Sequence, residues 1–208
     1  MQRARMSEKR RILLVEDHPI VRLGLSTVLN AQDDLEVVAE AASFSEAMTA
    51  VHEISPDLVI LPLRLGGVND GLELCREVKS VEGGPRVMMY TSFTSPSDAT
   101  LAFLSGADSY LTKDHPEGRL LETVRATAVG GRVWNANSDT GASAQKLEEQ
   151  VRASSLTMRE QEVLGFMLQR YSNAEIAREL FIGIPTVKTH VSKVLQKLGV
   201  GSRKDLFD

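Results

Sequence analysis

Residues 11–130 alternate between short apolar runs and amphipathic segments, and this alternation restricts the fold more than any other feature. The apolar runs are ILLV at 12–15, LEVVAE at 35–40, LVIL at 58–61, RVMMY at 86–90 and SYLT at 109–112. The amphipathic segments lie near 19–30, 44–53, 70–80, 96–105 and 116–129. Runs this apolar are typical of strands that are buried on both faces. The pattern therefore predicts an α/β doubly wound domain with a five-stranded parallel sheet of order 2-1-3-4-5.

Residues 155–208 show helical patterns and no strand signal, which predicts a small all-α domain. The segments TMRE and SNAE each match a capping box, so helices should begin near 158 and 173. A third helix should begin near Ile184 and Pro185, with an apolar stripe on one face and Gly199 at its end. From Val151 to the end the chain carries nine Lys or Arg against six Asp or Glu, a net charge of +3 that leaves −7 for residues 1–150. A basic half next to an acidic one indicates nucleic acid as the partner of the second half.

The segments that flank the two domains carry weaker patterns. Residues 1–10 are basic and polar, which predicts a disordered tail. The polar composition of residues 131–154 predicts a linker, in which Gln145 to Arg152 could form a short helix. The lone Cys75 excludes a disulfide framework and indicates a reducing cytoplasm. No apolar run has the length needed to cross a membrane.

Polar side chains follow three of the predicted strands. Glu16 and Asp17 end the first strand, Thr91 follows the fourth and Lys113 the fifth. In a sheet of order 2-1-3-4-5 these side chains converge on one crevice with position 62. An acid pair, a hydroxyl and an ammonium are typical of phosphoryl transfer to a carboxylate. The nucleophilic carboxylate is missing, because Pro62, expected as the last residue of the third strand, occupies its place.

The chain resembles a response regulator of the NarL/FixJ class, a flavodoxin-like receiver domain joined to a LuxR-type helix-turn-helix domain. The resemblance rests on LLVEDHPIVRLGL, GADSYLTKD and the long stretch that begins LTMREQEVLGFMLQRYSNAEIAREL. It implies that position 62 held the phosphoaccepting aspartate. It also implies that Glu16 and Asp17 match the metal-binding acids, Thr91 the switch hydroxyl, Tyr110 the switch aromatic and Lys113 the family lysine.

The loss of the acceptor predicts a receiver that cannot be phosphorylated in the usual way. No cofactor is expected, and Mg²⁺ binding at Glu16 and Asp17 is expected to be absent or weak. Lys113 could simply neutralise Glu16 or Asp17 in a partly buried ion pair. The side chains of Thr91 and Tyr110 could still change conformation together, or they could be held in one conformation.

The exposed face of the third helix should present Lys188, Thr189, Ser192 and Lys193, and no acid occurs between Glu179 and Asp205. Such a helix suits the major groove of double-stranded DNA, and the resemblance places residues 188, 189 and 192 at contacting positions. Thr186 and Lys197 could add phosphate contacts, whereas His190 is expected to be structural.

We therefore expect a cytoplasmic, DNA-binding transcription regulator that acts as a homodimer. The segment GSRKDLFD leaves at most a truncated last helix, which favours a dimer through the receiver domain. Two alternatives stay open: a small molecule or partner protein gates the receiver, or the chain acts by heterodimerising with an intact regulator. No enzymatic role is expected, since no Ser-His-Asp or Cys-His arrangement is present.

Overall fold

The computed structural model describes residues 9–66, 70–92, 96–135, 151 and 153–206. The chain divides into two compact units, one of residues 1–93 and 105–135 and one of residues 94–104 and 136–208. The segment 94–104, which the sequence assigned to the first domain, is thus grouped with the second unit. Residues 1–8 of the predicted tail and most of the predicted linker, including its short helix apart from Val151, lie outside the described residues.

The first unit is built on a parallel sheet. Its strands are β1 (Arg10–Val15), β2 (Leu35–Ala41), β3 (Leu58–Leu61), β4 (Arg86–Thr91), β5 (Ser109–Thr112) and β6 (Trp134–Asn135). The order is β2-β1-β3-β4-β5-β6, and every neighbouring pair is parallel. The predicted order 2-1-3-4-5 is therefore confirmed. The sixth strand was not predicted, because it is only two residues long and follows a glycine-rich turn.

The helices of the chain up to residue 128 are α1 (Pro19–Asn30), α2 (Phe44–Ile54), α3 (Asp70–Ser80), α4 (Pro96–Leu104) and α5 (Glu117–Ala128). The four residues of β3 are all buried, as expected for a central strand covered on both faces. A core on one side of the sheet joins strand residues such as Ile12, Ile60 and Met88 to Leu120 and Val124 of α5. Burial of these side chains is the main force that holds α5 on the sheet.

Several boundaries differ from the sequence predictions by one or two residues, among them those of β1 and β3. The strand β1 begins at Arg10, which the prediction placed in the tail. The strand β3 ends at Leu61, so Pro62 is the first residue beyond the strand rather than its last. Proline has no N–H for a strand ladder, and the position just after the strand removes that difficulty.

The second unit contains α6 (Met158–Leu168), α7 (Asn173–Glu179), α8 (Ile184–Leu198) and a short 3₁₀ helix (Lys204–Leu206). Both predicted capping boxes are present, with Thr157 and Glu160 at α6 and Ser172 and Glu175 at α7. Helix α8 ends at Gly199, whose φ of 69° suits glycine. Among the described residues, no helix combines the length and apolarity that a membrane span requires.

Candidate functional site

The first carboxylate after β1 is paired with the lysine that follows β5. Glu16 is 1% exposed, and its Oε2 accepts a hydrogen bond from Lys113 Nζ. The same ammonium lies 5.8 Å from the centre of the Tyr90 ring, and its side chain is 19% exposed. A buried carboxylate is costly without a partner, and Lys113 supplies that partner for Glu16. The alternative in which Lys113 neutralises Glu16 therefore describes this geometry.

The second carboxylate is held from the other side of the crevice. Asp17 Oδ2 accepts a hydrogen bond of 3.0 Å from the Gly66 amide, and its Oδ1 lies 3.1 Å from His18 Nδ1. Burial opposes ionisation of Asp17, but the Gly66 amide and the nearby imidazole outweigh burial and lower the pKa of this carboxyl. The hydrogen bond to Glu16 raises the pKa of His18, with a further contribution from the charge of Asp17. Asp17 is thus stabilised as an anion by groups of this chain.

Pro62 is buried. It follows β3 immediately and precedes helix α3 along the chain. Its carbonyl oxygen packs against Gly71, where an added Cβ would lie 2.0 Å from Pro62 O and 2.7 Å from Leu63 O. Only glycine can occupy position 71 without moving this backbone. The pyrrolidine ring offers no group that could accept a phosphoryl group or bind a metal ion.

The two predicted switch residues are both inside the protein. Thr91 ends β4 and is 1% exposed, and its carbonyl accepts a hydrogen bond of 2.7 Å from the Lys113 amide. Tyr110 is also 1% exposed, and its ring stacks on Trp134 with 6.4 Å between the ring centres. The structure therefore brings Glu16, Asp17 and Lys113 together. Thr91 is joined to Lys113 by a backbone hydrogen bond. The ring of Tyr110, in contrast, packs against β6.

Receiver-type pockets imply a bound Mg²⁺, and the residues present can be tested against that ion. Ligand atoms of Glu16, Asp17 and His18 lie within 4.8 Å of one another. Mg²⁺ prefers oxygen ligands in a near-octahedral arrangement, but position 62 supplies no carboxylate and one oxygen of Glu16 is bound to Lys113. This donor set fits Mg²⁺ poorly, and we derive no chemistry through the ion.

Helix α8 separates an apolar face from a polar one. Val187, Val194 and Leu198 are buried, with at most 3% exposed. The residues predicted to contact DNA are all exposed: Thr186, Lys188, Thr189, Ser192, Lys193 and Lys197. A helix with a basic, acid-free outer face can enter the major groove of DNA and bind phosphates and base edges.

Lys197 differs from the other lysines of α8. Its ammonium donates hydrogen bonds of 2.7 Å to Glu160 Oε2 and 2.9 Å to the carbonyl of Ser155. These bonds hold the start of α6 against the end of α8, so a phosphate would have to compete with a carboxylate for Lys197. Lys197 thus has a structural role in this structure, and its phosphate contact stays a prediction. His190 is half-buried, in keeping with the structural role expected of it.

Three residues around the pocket were missed by the sequence reasoning. Tyr90 lies beneath the Lys113 ammonium, Gly71 allows the approach of Pro62, and Trp134 covers Tyr110. Tyr90 stood in an apolar strand run, so its pattern indicated only burial. Trp134 fell in the predicted linker, and the one available signal was an isolated aromatic residue in a polar segment.

Comparison with known proteins agrees with both halves of this description. The family model of the response regulator receiver domain matches residues 12–125, and that of the luxR family of bacterial regulatory proteins matches residues 154–208. The response regulator protein VraR of Staphylococcus epidermidis is 38% identical over 193 residues, which cover 93% of this chain and 92% of that protein. The transcriptional regulatory protein LiaR of Bacillus subtilis (strain 168) is 35% identical over 202 residues, with the same coverage.

A solved structure extends the likeness to three dimensions. The crystal structure of the response regulator ChrA of a heme-sensing two-component system is 35% identical, with a TM-score of 0.53. The match covers 96% of this chain and 94% of that one. The chain therefore belongs to the response regulators, transcriptional regulators that join a receiver domain to a DNA-binding domain of the luxR family.

Proposed function

We propose that this protein regulates transcription in the cytoplasm without phosphorylation of an aspartate in its receiver domain. The observation that carries the proposal is Pro62, buried directly after β3, at the carboxyl end of a strand that pairs with β1. A phosphoryl group needs an oxygen nucleophile, and the proline ring has none. Asp17, one of the two acids that follow β1, is engaged with the Gly66 amide.

The charge balance of the crevice supports the same proposal. Transfer of a phosphoryl group requires cations that stabilise its oxygens. Lys113 is already paired with the buried Glu16, and separating the two would leave a carboxylate without a counterion. The charges of Lys113 and Glu16 thus neutralise each other, which favours a single conformation of the receiver domain in the absence of any ligand.

The test is to restore the acceptor with Pro62→Asp and to treat both proteins with acetyl phosphate or beryllofluoride. We expect the wild-type chain to stay unmodified by mass spectrometry and to bind DNA equally with and without acetyl phosphate. Pro62→Asp should accept a phosphoryl group, and the double variant Pro62→Asp with Asp17→Asn should accept less. An acid-stable or acid-labile phosphoryl group on the wild-type chain that changes its DNA affinity would contradict the proposal.

We further propose that α8 is the element that enters DNA, with Lys188, Thr189, Ser192 and Lys193 on its outer face and Thr186 near its start. The proposal is supported by the exposure of all five side chains and by the burial of the opposite face. Lysines on this face can bind phosphate or guanine acceptors, and the hydroxyls can reach base edges or the backbone.

Salt titrations of DNA binding test this assignment. If Lys188 and Lys193 each neutralise one phosphate, Lys188→Ala and Lys193→Ala should each reduce the slope of log K against log salt by about one. Lys9→Ala, an exposed lysine of the first unit, serves as the control and should leave the slope unchanged. Unchanged slopes for both α8 variants would remove this helix from the phosphate interface.

We also propose that the protein acts as a homodimer through the receiver domain. Helix α1 exposes Ile20 and Leu23, which are 84% and 67% accessible. Two copies of one apolar face can pack against each other about a two-fold axis, and such a dimer would present two copies of α8 to DNA.

A further inference from the structure

The first turn of α8 exposes apolar side chains beside the basic face. Ile184 is 44% exposed, and Pro185 is exposed as well. In contrast, the other large apolar residues of the helix pack inward, with Val187 and Val194 fully buried. Among the described residues of the second unit, Phe181 and Ile184 are the only large apolar side chains with this degree of exposure.

Helical geometry places this apolar pair in line with the residues proposed to contact DNA. Ile184 lies one turn before Lys188, and Pro185 lies one turn before Thr189. The hydroxyl of Thr189 donates a hydrogen bond of 3.1 Å to the carbonyl of Pro185, which directs its methyl group away from that bond. The exposed surface of the helix thus runs from an apolar first turn to a polar second turn.

The neighbouring charges indicate what covers this surface. Lys188 and Lys193 are exposed on the same helix, and no acidic residue occurs from 180 to 204. A polyanion is therefore a more suitable occupant than a second apolar helix, which would bring no charge to neutralise the lysines. In a DNA-binding helix-turn-helix, the residues at the start of the recognition helix approach base edges.

We propose that Ile184 and Pro185 read the 5-methyl group of a thymine in the major groove. The inference rests on the proposed function of α8 as the DNA-reading helix and adds a specificity to it. Thymine is the one base that presents a methyl group in the major groove, and apolar side chains are its natural contacts. Lys188, one turn further on, can bind the O6 and N7 acceptors of a guanine nearby. The preferred half-site should therefore contain a thymine close to a guanine.

The size of the effect follows from the burial of one methyl group. Loss of the apolar contact with one methyl group should reduce the binding free energy by about 0.8 kcal/mol, which corresponds to about fourfold weaker binding. A pair of apolar side chains at an exposed helix start is not needed for the core, so substitutions there should leave the fold unchanged. Circular dichroism of each variant checks that expectation.

The experiment uses the full chain and a duplex selected from random-sequence DNA. Each thymine of the selected site is replaced in turn by uracil, which removes the methyl group and leaves base pairing intact. We expect one thymine whose replacement weakens wild-type binding about fourfold in fluorescence anisotropy. The double variant Ile184→Ala with Pro185→Ala should bind the thymine and uracil duplexes equally, whereas Ile184→Val should keep a reduced preference.

Matched controls separate the possible outcomes. Val129→Ala removes an exposed apolar side chain of the first unit and should keep the full thymine preference. If no uracil replacement weakens wild-type binding, or if the double variant keeps the full preference, the inference is overturned while the α8 salt effect can stand. If the chain selects no DNA at all, or if the α8 lysines leave the salt slope unchanged, the proposed DNA-reading role fails and the inference fails with it.

Discussion

At the end of β1 a buried carboxylate meets an ammonium that comes from 97 residues further along the chain. Glu16 and Lys113 are the charged pair on which the crevice depends, because Glu16 is 1% exposed and has no access to bulk water. The charge of Lys113 is matched by Glu16 within the protein, so the two groups form a self-neutralised crevice without any ligand.

This pair leads to a prediction at the residue scale. Lys113→Met keeps a side chain of similar length but leaves the Glu16 carboxylate without a counterion. We expect a loss of about 2 kcal/mol in the free energy of unfolding, measured by urea denaturation, because breaking a buried pair is costly and partial exposure of Lys113 reduces that cost. Lys9→Met, at an exposed site, should be neutral.

A double-mutant cycle supplies the stricter test of the same pair. Adding Glu16→Gln to Lys113→Met removes the uncompensated charge, so the double variant should recover part of the lost stability. If the two single losses simply add, Glu16 and Lys113 do not interact energetically and the self-neutralised crevice is ruled out.

At the scale of elements, the side chain of Glu160 has two structural functions at the start of α6. Glu160 closes the capping box by accepting a hydrogen bond of 2.8 Å from the Thr157 amide, and it also accepts one from Lys197 of α8. The bond from Lys197 is the larger cause of a pKa of about 2 for Glu160, well below its ordinary value of 4.5, and the Thr157 amide adds to it. The ionised carboxylate therefore ties one helix to another.

The pH dependence of stability follows from this lowered pKa. A carboxyl whose pKa is lowered by folding stabilises the protein above its unfolded pKa and loses that contribution as pH falls through the folded pKa. The contribution of Glu160 should thus be complete above about pH 5 and vanish towards pH 2. Glu160→Gln should unfold at lower urea than wild type at neutral pH and match wild type near pH 2.

Helical circular dichroism of the full chain follows this transition. The control is Glu162→Gln, since Glu162 is an exposed carboxylate on the same helix, paired with Arg159. Equal midpoints for Glu160→Gln and wild type at neutral pH would show that the capping carboxylate contributes no stability through its charge.

The short strand β6 gives a second prediction at this scale. The Val133 carbonyl accepts a hydrogen bond of 2.8 Å from the Tyr110 amide, and Trp134 stacks on the Tyr110 ring. Trp134→Ala should cost about 1 kcal/mol of stability, because it removes one aromatic pair from an edge strand. Hydrogen exchange at the Tyr110 amide should become faster. An unchanged exchange rate would mean that β6 stays paired without its aromatic side chain.

At the scale of the whole molecule, the proposed dimer depends on the outer face of α1. Ile20→Glu with Leu23→Glu places charges where two copies would meet, and we expect the dimer to dissociate in sedimentation velocity experiments. Val129→Glu, which alters an exposed apolar site beyond α5, is the control. Binding to a two-half-site duplex should weaken together with dimerisation. A dimer that survives the α1 charges must use another surface.

Most of the architecture could be predicted because it depends on local information. Alternating apolar runs and amphipathic segments identify strands and helices by their periods, and the TMRE and SNAE segments place two helix starts at the correct residues. The outer face of α8 was predicted correctly because its buried stripe repeats at helical spacing. The strand β6 was not predicted, because a strand of two residues is too short to show a periodic pattern of apolar residues.

The amino-acid sequence by itself determined most of the elements, the order of the first five strands and the basic face of α8, and it places a proline at position 62. Tertiary structure alone decided which groups became partners: Lys113 with Glu16, Lys197 with Glu160, Gly71 with the carbonyl of Pro62, and Trp134 with Tyr110. The physical reason is that propensity, period and capping act over a few neighbouring residues. A buried charge or ring takes as its partner whatever the packing of distant segments brings within reach.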